Sequence, residues 1–231
     1  MTEMNGNAAL VPLYSLGDAA RYSRTARGTL KRWAKGYELE GRTYPPLLAI
    51  PSDRPLGETA LSFENLIEAA LVGHWRRRGI SLQRIRVAHH LAMDEFGDHP
   101  FARREVYVSG KDLFIEADAV ATGDAGSTFT AITRGGQRVL RPAIENYLRT
   151  IDWRTGEASP YQWRPPEGAD VVRLNPRIDF GLPHVRRIRT EVILQRFMAR
   201  ESIREIAEDF DLKAGEVEQA LRYEWALSAA A

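Results

Sequence analysis

Between Arg21 and Lys35 the chain carries Arg21, Arg24, Arg27, Lys31, Arg32 and Lys35 and no acid. Cations at this density match phosphate oxygens, and the forked arginine donors also match base edges in a DNA major groove. Other reactive residue types offer less. The histidines are His74, His89, His90, His99 and His184. His89 and His90 are adjacent, so they point to different sides of a helix. No histidine stands in a metal-binding spacing with a carboxylate, so no metal site is expected. Asp94, Glu95 and Asp98 near His99 have acid/base chemistry, but Gly97 and Pro100 place them at a helix end, where they read as a solvated cap. The chain has no cysteine, which excludes disulfides, thiol catalysis and cysteine zinc sites. Gly123–Ser127 lacks the Gly-Lys-Ser/Thr of a phosphate loop. No nucleophile elbow is present. No catalytic residue and no cofactor is therefore expected.

The cations need an element to hold them, and residues 14–37 read as a helix-turn-helix. Ser15 caps a first helix, with Asp18 in the reciprocal capping position. Ser23-Arg24-Thr25 supplies the turn. A second helix runs from about Ala26 to Lys35, with Leu30 and Trp33 inward and Gly36 as its stop. Small Ala20 lets the helices cross closely, and Leu30, ten residues later, fills the angle between them. In this motif the turn and the start of the second helix reach the bases. The candidate DNA contacts are thus Arg24, Thr25, Arg27, Thr29, Lys31 and Arg32. Gly28 counts against the second helix, since glycine inside a helix costs about 1 kcal/mol relative to alanine. Gly41, between short apolar or aromatic stretches, predicts a hairpin wing with Arg42 at its tip.

The whole chain has 231 residues and a net charge of +1, so a nucleic-acid surface must be local. No apolar run approaches the roughly 20 residues of a membrane span. The N-terminus has no secretory pattern, and a bacterial cytoplasm is the expected location. Ser62 opens a helix over 63–78 with the stripe Leu66, Ile67, Ala70, Leu71 and Trp75. Gly79 ends it, and Ser81 caps the next helix, with Leu82, Ile85, Ala88, His89, Ala92 and Phe96 inside. From Phe101 hairpins are expected at 106–115 and around 154–157, with a short helix near 142–148. Trp153, Tyr161 and Trp163 read as core and hairpin pairing. Val171 to Leu174 reads as a strand and 175–183 as an irregular loop. Three helices follow: one capped by Thr190, one with a Ser202–Glu205 capping box, and a last one burying Val217, Ala220, Leu221 and Trp225. Ala207 and Val217 repeat the spacing of Ala20 and Leu30. From Glu201 to Glu224, however, the acids Glu201, Glu205, Glu208, Asp209, Asp211, Glu216, Glu218 and Glu224 outnumber Arg204, Lys213 and Arg222. The second helix-turn-helix therefore reads as a protein-contact module.

Two stretches resemble known families. Ala20, Thr29 to Trp33 and the phrase Gly79-Ile80-Ser81-Leu82-Gln83-Arg84-Ile85-Arg86, after a helix-turn-helix and a wing, resemble the DNA-binding domain of MerR-type regulators over about 13–97. That family's cysteine metal site has no counterpart here. The second stretch is the run from Asn175 through Tyr223, with Asn-Pro-Arg-Ile-x-Phe-Gly-x-Pro at its start. It resembles the C-terminal domain of unknown function (DUF433-like) carried by VapB-type antitoxins of type II toxin–antitoxin pairs. The family's glycine and threonine before the arginine are missing at Arg187 and Ile188.

These readings give an α+β, mainly α chain. It divides into a tail (1–12), a MerR-like winged helix-turn-helix (13–98), a small α+β middle module with hairpins (99–166) and a helix-turn-helix-like antitoxin domain (167–227). The resemblance implies an antitoxin that binds its own operator and inhibits a PIN-type ribonuclease, as a homodimer or a toxin–antitoxin hetero-oligomer. The toxin-contact candidates are Arg186, Arg187, Arg189, Arg196 and Arg200. The alternative is a stand-alone MerR-like regulator whose middle module senses a small molecule.

Overall fold

The structure is a computed structural model and describes residues 8–50, 61–103, 147, 150–153, 160–165 and 170–229. The expected hairpin at 106–115 and most of the helix near 142–148 lie outside these residues. The fold is α+β and mainly α.

The N-terminal elements follow the local chemistry closely. Strand β1 (Pro12–Tyr14) leads into α1 (Leu16–Ser23), which opens with the Ser15–Asp18 capping box. Arg24 closes α1 in the left-handed region (φ 52°). α2 (Arg27–Lys35) buries Leu30, Trp33 and Ala34 and stops at Gly36 (φ 74°), where a Cβ would meet the Tyr44 carbonyl. β2 (Tyr37–Leu39) and β3 (Arg42–Tyr44) form the wing. Its two-residue turn has Glu40 and Gly41 both at positive φ, which suits the right-handed twist of a hairpin.

β4 (Leu61–Ser62) pairs antiparallel with β1 and runs directly into α3 (Phe63–Arg77). The apolar stripe predicts an amphipathic helix, yet α3 is buried without interruption from Phe63 to Gly73. α1, β1 and β4 all pack on it. A helix surrounded by protein has no polar outer face, and its acids therefore point inward. Gly73 is where the turn before α2 approaches, since a Cβ there would lie 2.7 Å from Thr25 Oγ1. α4 (Leu82–Phe96), capped by Ser81, buries Ile85, Ala88, His89 and Ala92 as expected.

β5 (Ile151–Trp153) and β6 (Pro160–Trp163) form the second expected hairpin. Trp163 is buried and exchanges backbone hydrogen bonds with Leu174, which joins this hairpin to the C-terminal segment. There the strand expected over 171–174 is β7 (Val172–Arg173), and the sequence reading missed the two strands that extend it into a three-stranded antiparallel sheet, β8 (His184–Val185) and β9 (Ile188–Arg189). Two-residue strands are too short for a periodicity signal, and Arg186 rather than a glycine takes the positive φ (54°) between β8 and β9. α5 (Thr190–Met198), α6 (Ile203–Asp209) and α7 (Ala214–Ser228) follow. The Ser202–Glu205 box is formed. Thr190 is the first helical residue and not the cap; its hydroxyl goes to the Pro183 carbonyl and to Glu224. Trp225 is 48% exposed, not core. The buried apolar residues form one cluster running from Ala9 to Leu227.

Candidate nucleic-acid and partner interfaces

The helix-turn-helix sets its cations apart from one another. Arg27, Lys31, Arg32 and Lys35 are exposed on α2, and Thr29 is half-buried beside them. Ala26, at the N-cap, makes no side-chain cap, so no side chain caps the first N–H groups of α2 and the positive end of its dipole faces outward. Arg32 lies over the Tyr37 ring, 5.9 Å from its centroid. Arg86 lies at the same distance from that ring's centroid and donates to the Pro45 carbonyl at 2.5 Å. Tyr37 stacks on Tyr44 at 4.8 Å. Arg86 thus braces the wing from α4, and burial lowers its pKa from the usual arginine value. Arg42 is exposed on the wing opposite Leu39.

Two expected contacts lie deeper. Thr25 is buried, with its hydroxyl over Ser23 and against Gly73. It serves the packing of the turn and is not presented on the outer face of α2. Arg24 is half-buried, and its carbonyl accepts from Arg77 at the end of α3. Arg21 leaves the cationic face altogether. Its guanidinium reaches Glu224 of α7 at 2.7 Å, and that carboxylate is almost fully buried. Glu224 is therefore not part of an acidic outer face. A second tie runs from the buried Tyr14 hydroxyl to the Gly181 carbonyl at 2.9 Å. Burial raises the Tyr14 pKa well above its ordinary value, so it stays a donor.

The C-terminal helix-turn-helix repeats the inner packing, with Ala207 and Val217 buried, but neutralises its own charges. Arg204 pairs with Glu208, and Arg222 with Glu218. The start of α7 is closed by Glu216, which accepts from the Lys213 N–H at 2.7 Å. The five arginine candidates divide likewise. Arg196 holds Glu201 and Asp209 and lies over Phe210, and these carboxylates raise its pKa. Arg189 grips Asp179 through Nε and Nη2. Arg186 reaches the Asp211 carbonyl and Glu216. Arg187 and Arg200 are exposed without a side-chain partner among the described residues.

A buried polar network went unread. Glu68 is fully buried and faces His89 Nε2 at 3.3 Å and His99 Nδ1 at 3.2 Å; the Phe101 N–H also donates to it. Burial alone would raise the Glu68 pKa, but the hydrogen bonds from His89 and His99 outweigh it and pull the carboxyl down to about 2. Burial lowers the His99 pKa, the Glu68 hydrogen bond and charge raise it, and the net direction is up. His99 is thus an inward partner and not part of a solvated cap. The signal was in the sequence, because Glu68 lies at helical spacing from Leu71 and Trp75. Beside His99, Asn65, Asp98 and Ile50 line a cleft of about 360 Å³. Among the described residues no group of three or more His, Cys, Asp or Glu side chains is placed to hold a metal. Among them, too, no helix is long and apolar enough to cross a membrane.

Comparison with known proteins agrees with this layout. Residues 12–89 match the family described as "Putative DNA-binding HTH domain", and residues 172–223 match "Protein of unknown function (DUF433)". The chain is 29% identical over 224 residues to the Mycobacterium tuberculosis protein named "Putative antitoxin VapB45", covering 91% of this chain and 93% of that protein. The resemblance to VapB-type antitoxins with these two domains holds. A second relative, "Uncharacterized protein Rv2308" of the same organism, is 26% identical over 85% of this chain and 83% of its own length. The X-ray crystal structure of Rv2018 from Mycobacterium tuberculosis superposes with a TM-score of 0.74 at 25% identity, over 91% of this chain and 98% of that one.

Proposed function

We propose that the protein is a VapB-type antitoxin with a DNA-binding role. The observation that carries the reading is the contrast in charge between its two helix-turn-helix units. Among the described residues α2 leaves Arg27, Lys31 and Lys35 outward without carboxylate partners, whereas Arg196, Arg204 and Arg222 of the C-terminal unit are paired with its own acids. The antitoxin name of a relative aligned along most of the chain supports the rest.

In this reading the unit at 13–98 is a MerR-like reader of the operator. Arg27 and Lys31 contact phosphates and base edges, the open start of α2 faces the backbone, and Arg42 touches phosphate from the wing. The unit at 167–227 binds a PIN-type ribonuclease and blocks its acidic, metal-dependent site, with Arg187 and Arg200 free to reach it. Two-fold paired half-sites call for a dimer. The protein acts in the cytoplasm as a regulator, not an enzyme.

The test is co-expression with the product of the adjacent reading frame. Stable co-purification with loss of that product's ribonuclease activity, together with binding to the DNA upstream of its own frame, is expected. A neighbour that neither binds nor is inhibited removes the antitoxin reading and leaves only a DNA-binding regulator.

A further inference from the structure

The geometry points to Phe180 as the aromatic anchor by which the C-terminal unit seizes its protein partner. This rests on the antitoxin reading and gives its partner surface a centre.

Phe180 is 72% exposed, more than any other large apolar residue among those described. It sits in a run of three residues at positive φ: Asp179 at 49°, Phe180 at 56° and Gly181 at 76°. L-residues avoid this region, and such conformations persist only where the surroundings impose them. Here they are imposed from both sides. Arg189 fixes Asp179 by two donors. The Tyr14 hydroxyl fixes the Gly181 carbonyl, and a Cβ on Gly181 would lie 2.2 Å from that oxygen. The Gly181 N–H also returns to the Ile178 carbonyl at 2.9 Å. The turn is held, and the ring it carries faces solvent.

An exposed phenylalanine on a strained turn does little for folding. It neither fills the core nor eases the backbone, and a glycine would satisfy the same turn with less strain. A rigid, outward aromatic is, by contrast, what a protein interface uses as a central anchor, because little entropy is lost when it docks. The charges around it name the partner's chemistry. From Arg177 to Arg189 the bases are Arg177, Arg186, Arg187 and Arg189 against the single acid Asp179; Arg189 is held by Asp179 and Arg186 by Glu216, and Arg187 is exposed without a side-chain partner among the described residues. Arg187 sits in the turn between β8 and β9, two residues before Arg189. The surface fits an apolar pocket rimmed by carboxylates on a second protein, the acidic nuclease of the proposed function.

The test uses the full chain with the purified product of the adjacent frame. Phe180→Gly and Phe180→Asn both tolerate the left-handed backbone, and Phe180→Leu keeps an apolar side chain. The first two are expected to leave the melting midpoint unchanged or raised while partner affinity falls about 30-fold or more. Phe180→Leu is expected to lose much less. Undiminished partner binding by Phe180→Gly, with wild type binding tightly, overturns this inference alone. Absence of wild-type binding removes the antitoxin reading and this inference with it. A drop of several degrees in midpoint for both polar and glycine variants makes Phe180 structural and overturns it. So does a change in oligomer size by sedimentation, which would make the occupant a second copy, or a change in operator affinity, which would make it DNA.

Discussion

The two helix-turn-helix units share an inner frame and differ in what they do with their ends. Ala20 and Leu30 are buried in the first, Ala207 and Val217 in the second, each pair ten residues apart. In the first, the second helix begins at Ala26 with no side-chain cap. In the second, Glu216 folds back over the Lys213 N–H and holds Arg186 as well. A carboxylate already occupies the place where a phosphate would lie. Packing spacing is thus the same in the two units, while cap chemistry and charge pairing set them apart.

The largest expected effect breaks that contrast at the first unit. Arg27→Ala with Lys31→Ala is expected to weaken operator binding by about 100-fold and to reduce the salt slope by about 2, at about 1 per lost phosphate contact. Partner affinity is expected to stay unchanged. Equal loss in a control duplex of unrelated sequence would reduce the unit to a general phosphate binder.

Next comes the tie between the units. Among the described residues, Arg21→Ala leaves the buried Glu224 carboxylate with the Thr190 hydroxyl alone. A destabilisation of about 2 kcal/mol is expected, since losing one partner strands a buried charge while Arg21 itself is partly solvated. Glu224→Gln with Arg21→Ala is expected to recover part of it. Denaturant unfolding measures both, and no change would make the pair incidental.

A third prediction concerns pH. The Glu68 carboxyl is held at about 2 in the folded chain, below its unfolded value, so its stabilising contribution is present above about 4.5 and is lost as pH falls towards 2. The His99 pKa is raised in the folded state. Its contribution is present below about 6.5 and is lost as pH rises through the folded value. The network is thus most stabilising between about pH 4.5 and 6.5. The melting midpoint is expected to fall from pH 6 to pH 8, and Glu68→Gln should flatten that slope. A midpoint that rises over this interval in wild type contradicts the assignment.

The smallest effect sharpens the second unit. Glu216→Gln opens the start of α7 to an anion without adding a cation. Nonspecific DNA affinity is expected to rise by less than about 3-fold, because one removed carboxylate does not make a phosphate surface. A gain approaching that of the first unit would mean that the cap alone separates the two.

These contrasts also show what was legible beforehand. Short-range chemistry read through cleanly: the Ser15–Asp18 and Ser202–Glu205 boxes, the Gly36 stop and the Glu40-Gly41 wing turn all depend on neighbours within a few residues. The candidate face on α2 was legible for the same reason. What failed was set by distant partners. Arg21 belongs to the run of cations in the sequence, but Glu224, 203 residues away, takes its guanidinium. Thr25 looked exposed until Gly73 admitted the turn against α3. Glu68 lies beside Trp75 on the stripe itself, but its partners His89 and His99 are 21 and 31 residues away, beyond the reach of helical spacing. β8 and β9 have two residues each, too short to alternate.

The division of labour is tested most directly by titrating one Arg27→Ala preparation against the operator duplex and, separately, against the adjacent-frame product. The account predicts operator affinity reduced by about 10-fold or more and partner affinity equal to wild type. Loss of both affinities together, in a variant that melts like wild type, would contradict it.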